Sequence, residues 1–221
     1  MERPREKVIL YGVDCLSNRE LLAILLRTGY HGKSSLEVAD EILCKVGDIG
    51  VLPNMQLADW MEFKGIKEAK AIELLVVFEL VRRCSFSLCK QVNVVSSPES
   101  LINWLQLEFG HLQQEHFVVV FLNVKNHILG YKTIFVGGLN SANVHPREIF
   151  KEAYQRSSSK IILVHNHPSQ DVIPSKEDQF VTMQLSEVSK IMHIPIVDHL
   201  IVSSHNWFSF RKQGLLQDAV E

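Results

Sequence analysis

Two histidines one residue apart, His165 and His167, stand ahead of Pro168. After a gap of seven residues come Ser175 and then Asp178. Imidazole nitrogens and carboxylate oxygens are what zinc takes as ligands in hydrolases. Such sites commonly use three protein groups and leave a fourth position to water, whose pKa falls to about 7. In an extended strand, side chains two residues apart share a face, so the two imidazoles would lie roughly 6.6 Å apart along the backbone and could converge on one ion. A closed structural site would want four ligands, usually with cysteines. None of Cys15, Cys44, Cys84 and Cys89 lies in this stretch, and no two form a CxxC pair. Each piece has a plainer use: HxH can mark a strand end meeting solvent, and Ser175-Lys176-Glu177-Asp178 is a helix capping pattern. The combination, with a strand before it and a helix after it, favours a catalytic metal site.

The elements that must position these residues can be read from the same letters. IILVHNH is a buried strand ending in polar residues, and a helix runs from near Ser175 to about Ile191. IPIVDHLIV and WFSF supply the last strands. Upstream, SPESLINWLQLEF is a helix, HFVVVFLNV and ILGYKTIFV form a hairpin about KNH, GGLN breaks the second strand, and REIFKEAYQRS is a helix. This order predicts a mixed sheet with helices packed on it. The chain before it reads as a small all-helical unit. Capping boxes at Ser17/Glu20 and Ser34/Glu37 open two helices, Gly29 and Gly47 are placed to end them, a third segment covers Leu57 to Phe63, and AKAIELLVVFELVRR is a fourth helix. The helical period is expected to stop at Cys84, which divides the chain into a helical domain at 1–85, a linker at 86–97 and a sheet domain at 98–221.

Composition narrows the classes. The 221 residues can bury a core without disulfides, and no leader-like segment precedes the cysteines, so the cytoplasm is the expected compartment. No apolar run approaches the roughly 20 residues of a membrane span. A net charge of -2 offers no global attraction to nucleic acid, and residues 1–85 carry 12 Lys and Arg against 13 Asp and Glu.

His-x-His, seven residues, Ser, two residues, Asp is the JAMM (MPN-plus) metallopeptidase motif, and His165, His167, Ser175 and Asp178 fill it. REIF after VHP, HNHPS, PSKED and VDHLIV, with RPREK and LSNRELLAILLRTG near the start, resemble bacterial RadC-family proteins over nearly the whole chain. The resemblance implies an α+β chain: a helix-hairpin-helix-like domain, then a JAMM/MPN-like mixed sheet flanked by helices. It implies one zinc per chain, held by His165, His167 and Asp178, and hydrolysis of a peptide or isopeptide amide. Ser175 would hydrogen-bond the attacking water or the developing oxyanion. Glu115, at the head of QEHFVVVFLN, matches the family's general base, which later returns the proton to the leaving amine. A carboxylate there can lean over a neighbouring strand's end. Glu148 is its competitor, although its place at a helix start better suits a partner of the helix dipole. His145 and His199 are candidates to orient a ligand, with a hydrogen-bonded core histidine the plainer reading.

The chain departs from the family pattern twice. Gln170 replaces the glycine of HNHPSG, and Gly65-Ile66-Lys67 stands where GIG is usual. The second bears on the alternative reading, a DNA-associated accessory protein with a structural or idle metal site. Small residues let a hairpin backbone approach phosphate, and Lys67 either hinders that or adds a charge beside Lys64 and Lys70.

Overall fold

The computed structural model describes residues 3–137 and 144–216. The chain forms two compact units, residues 1–81 and 82–221. The first holds α1 (Pro4–Tyr11), α2 (Asn18–Leu26), α3 (Ser35–Val46), α4 (Leu57–Met61) and the start of α5 (Glu68–Lys90). Ser17 and Ser34 accept the N–H groups of Glu20 and Glu37, whose carboxylates bond back to the serine backbone, so both capping boxes form. Gly47 ends α3 at φ 74°. The glycine expected to end α2 does something else. The helix stops at Leu26 with Arg27 at φ 60°, and Gly29 lies where a Cβ would collide with the Lys33 and Ser34 backbone. Leu22, Ala23 and Leu26 pack on Val38, Ala39 and Ile42, and the fully buried Trp60 stacks on Phe78 at 6.0 Å. In the first turn of α5, Lys70 Nζ donates to the carbonyl oxygens of Thr28 at 2.5 Å and Gly65 at 3.4 Å, while Lys64 and Lys67, just before the helix, are exposed.

Among the described residues of the second unit, five strands make one mixed sheet in the order β2-β1-β3-β4-β5. These are β1 (His116–Leu122), β2 (Ile128–Val136), β3 (Lys160–Asn166), β4 (Ile196–Val202) and β5 (Trp207–Ser209). β1 runs antiparallel to β2 and β3, and β3 runs parallel to β4. α6 (Glu99–Phe109) covers one face, burying Leu101, Trp104, Leu105 and Phe109 against Val118, Val120, Ile162 and Val164. α7 (Pro146–Gln155) and α8 (Lys176–Met192) cover the other, with Ile149, Phe150, Val181 and Leu185 against Phe117, Val119, Leu163 and Ile201. Because helices lie on both faces, β1 and β3 are apolar without alternation until β3 reaches its polar end. The expected hairpin is present, and β2 ends before Gly137, with the rest of GGLN, 138–140, outside the described residues.

One expectation needs correction. Residues 86–90 are not linker but the last turns of α5, and the division of the chain falls inside that helix. The letters from Cys84 on suggest a stop, yet packing outvotes propensity. Phe86 sits 4.7 Å from the Trp104 ring and 5.3 Å from that of Tyr131, and Cys89 is fully buried in the same cluster. The non-helical connection is only the stretch after Lys90. Among the described residues, no helix is long and apolar enough to cross a membrane. Phe86→Ala should therefore lower the stability of the full chain by about 2 kcal/mol in denaturant unfolding, given partial burial. A loss under about 0.5 kcal/mol, the usual value for a surface site, would return this stretch to a linker.

Candidate metal centre

The parallel pair β3 and β4 is joined through α8, so the carboxyl end of β3 and the amino end of α8 meet at one rim of the sheet. His165 is the penultimate residue of β3 and fully buried, and His167 lies just beyond the strand. Ser175 caps α8: its Oγ accepts the Asp178 N–H at 3.1 Å, and its own N–H donates to Asp178 Oδ2 at 2.7 Å. That reciprocal pair sets the Asp178 rotamer. The carboxylate, 1% exposed, is turned so that Oδ1 lies 3.2 Å from His165 Nε2 and Oδ2 3.5 Å from His167 Nε2. The two Nε2 atoms are 2.9 Å apart. All three ligand atoms fall within 4.8 Å of one another, a grouping that could hold a metal ion.

Proton bookkeeping shows what the arrangement needs. His167 Nδ1 is 2.6 Å from the Asp171 carbonyl oxygen, which can only accept, so Nδ1 carries a proton and Nε2 faces the cluster. Burial pushes the His165 pKa down and keeps that ring neutral. Burial also works against charge on His167, but the hydrogen bonds to Asp178 and Asp171 outweigh it and its pKa is raised. For Asp178, burial alone would favour the acid form. The two imidazoles facing it and the hydrogen bond at Ser175 overcome this and hold the carboxyl far below the usual carboxylate range. The centre thus calls for positive charge among two nitrogens and an oxygen: a proton on His167, or a metal ion in its place. Two imidazoles and one carboxylate suit zinc better than magnesium or calcium, which prefer oxygen ligands.

A cleft of about 410 Å³ opens onto this cluster, lined among others by Glu115, His167, Ser169, Ser175 and Asp178. Glu115 arrives there through strand register. Phe117 pairs with His165 across the antiparallel β1/β3 ladder, and continuing that register puts residue 115 opposite residue 167. Its backbone is held from both sides, by Gly137 N–H donating to the Glu115 carbonyl at 2.8 Å and by Asn166 Oδ1 accepting the His116 N–H at 2.8 Å. Asn166 also donates to the carbonyls of Leu112 at 3.2 Å and Gln114 at 3.0 Å. Sequence reasoning overlooked this residue. The available signal was an amide at the end of a buried apolar strand, where it must find several partners. Glu148, the competing carboxylate, is exposed in the first turn of α7 and outside the cleft lining, and His145 is exposed beside it. Gln170 has a left-handed φ of 67°, which accounts for a glycine preference. Its side chain donates to the Gly110 carbonyl at 3.1 Å and accepts the Ser204 N–H at 2.9 Å, so it fastens the loop to its neighbours.

Comparison with known families matches residues 95–215 to the RadC-like JAB domain and residues 1–72 to the UPF0758 N-terminal family. A UPF0758 protein of Bacillus cereus (strain 03BB102) is 43% identical over 213 residues, covering 96% of this chain and 95% of that protein. One from Desulfitobacterium hafniense (strain DSM 10664 / DCB-2) is 44% identical over 213 residues, covering 96% and 94%.

Two outcomes follow from this geometry. A metal ion taken up here would displace the proton on His167, so zinc affinity is expected to fall about tenfold per pH unit below the raised His167 value and level off above it. Competition with a chromophoric chelator between pH 5 and 8 measures this, and a flat profile would contradict the proton count. Asn166→Ala should cost about 2 kcal/mol of stability by stranding three backbone groups. It should leave zinc content unchanged, because the anchor serves the Glu115 segment and not the ligands.

Proposed function

We propose that this chain, which belongs to the RadC family with its JAB domain and UPF0758 N-terminal region, is a JAMM-type metallohydrolase that cleaves an amide bond in a peptide or isopeptide substrate. The observation that carries the proposal is the convergence of His165, His167 and Asp178 within 4.8 Å beside a cleft that Glu115 and Ser175 also line. One zinc per chain at these three ligands would polarise the scissile carbonyl and make a water acidic enough to ionise near neutral pH. The protein's own groups do the rest. Glu115 takes the proton of the attacking water and returns it to the leaving nitrogen. The Ser175 oxygen already accepts the Asp178 N–H, which leaves its hydroxyl proton to be donated to the developing oxyanion. Free cysteines suit the reducing cytoplasm. DNA contact through the N-terminal unit has less support, since Lys70 is engaged with the backbone carbonyls of Thr28 and Gly65.

The test is metal content by mass spectrometry on protein purified without added metal, followed by assay on a panel of amide and isopeptide substrates. About one zinc per chain is expected, lost in Asp178→Ala and kept in Glu115→Gln. The second variant should lose about 10²-fold or more of the turnover. Full activity in Glu115→Gln would move the base elsewhere, and wild-type protein without zinc after reconstitution would overturn the proposal.

A further inference from the structure

His199 lies on β4, on the same sheet face as His165 and one residue pair deeper, since Leu163 pairs with His199 and His165 with Ile201. It is fully buried, stacked on Phe210 at 4.7 Å and met edge-on by Phe117 at 5.9 Å. Both of its ring nitrogens are engaged. Nε2 is 2.9 Å from His165 Nδ1, and Nδ1 is 2.6 Å from Thr182 Oγ1. Thr182 is one helical turn beyond Asp178 on α8, 2% exposed, and its Oγ1 is 2.6 Å from the Asp178 carbonyl oxygen. A chain of hydrogen bonds therefore leaves His165 on the side away from the cleft and returns to the residue that supplies the third ligand.

The polarity of this chain follows from its far end. A carbonyl oxygen only accepts, so the single hydroxyl proton of Thr182 goes to Asp178. At 2.6 Å, His199 Nδ1 must then carry the proton that it shares with Thr182. A neutral ring with Nδ1–H has a lone pair on Nε2, which accepts from His165 Nδ1–H. A His165 protonated on Nδ1 has its Nε2 lone pair on the cleft side. Reversing any one bond leaves two acceptors facing each other at under 3 Å, or forces a second charge into a fully buried site.

We propose that His199 and Thr182 are positioning residues that hold His165 in the Nδ1–H tautomer, so that its Nε2 lone pair is committed to the metal before metal arrives. This deepens the metal-dependent reading above and rests on it. Neither residue touches the cleft. Their effect is to remove the tautomer that would block the site with an Nε2 proton, and to fix the ring's rotation. Outer partners of this kind commonly contribute 10- to 100-fold to metal affinity.

The tautomer can be read directly in metal-free, ¹⁵N-histidine-labelled protein by long-range ¹H–¹⁵N correlation spectra. His165 and His199 are both expected as neutral Nδ1–H rings, and Nε2–H on either would overturn the proposal. Zinc affinity supplies the second arm, measured by competition with a chelator. Thr182→Val should weaken binding roughly 10- to 100-fold, and Thr182→Ser, which keeps the hydroxyl, should restore it. A folded Thr182→Val protein that binds zinc as tightly as wild type would also overturn the proposal. Should the valine variant not fold, the wild-type and Thr182→Ser spectra decide the matter. The two readings fail separately: wild-type protein that takes no zinc but shows both Nδ1–H rings loses the metallohydrolase and keeps the positioning. Zinc bound to the opposite tautomer does the reverse.

Discussion

A buried carboxylate is the constraint on which the second unit turns. Asp178 is 1% exposed, and an ionised carboxyl so placed persists only where hydrogen bonds and positive charge meet it. Ser175 N–H meets one oxygen, and the imidazoles of His165 and His167 face both. The capping pattern Ser-x-x-Asp and the metal-ligand pattern are therefore not rival explanations of the same letters. The cap fixes the rotamer of Asp178, and that rotamer aims the carboxylate. A helix start needs an acceptor for its N–H groups whether or not chemistry follows. Here the need is met by a residue that also supplies a ligand.

Strand alternation is used on both sides at the end of β3. His165 and His167 project toward α8, while Asn166 between them holds the segment from Leu112 to His116. One tripeptide thus supplies two prospective ligands and the anchor that brings Glu115 over them. The parallel β3/β4 pair does the rest, because a crossover helix must begin near the end of the strand that precedes it. Beneath the ligands, His199 and Thr182 lie in a well-packed layer between sheet and helix. Rigidity there matters, since a ligand atom displaced by a fraction of an ångström changes coordination.

Much of the architecture was legible locally. Capping boxes at Ser17, Ser34 and Ser175 announced three helix starts, and all three form. Apolar runs of strand length with a short polar gap announced the β1/β2 hairpin. Two local readings failed for reasons outside the local window. Gly29 looked like a helix terminator, but it is required where the chain passes against the Lys33 backbone. The stretch from Cys84 on looked like an interruption, yet Phe86 and Cys89 extend the helix because the aromatic cluster of Trp104 and Tyr131 receives them.

The amino-acid sequence by itself determined the types and spacing of the prospective ligands, the cap that orients Asp178, and the order of elements that brings a strand end to a helix start. These are short-range matters, set by alternation, helical period and side-chain chemistry within about a dozen residues. Only the tertiary structure decided which distant groups join them. Glu115 faces His167 because of the antiparallel register of β1 on β3, and the Glu115 position had been inferred from resemblance alone. His199 reaches His165, and Thr182 reaches His199, because β4 and α8 pack on the same face of the sheet. Register and layer packing are settled by the summed burial of many side chains, and no local pattern contains that sum.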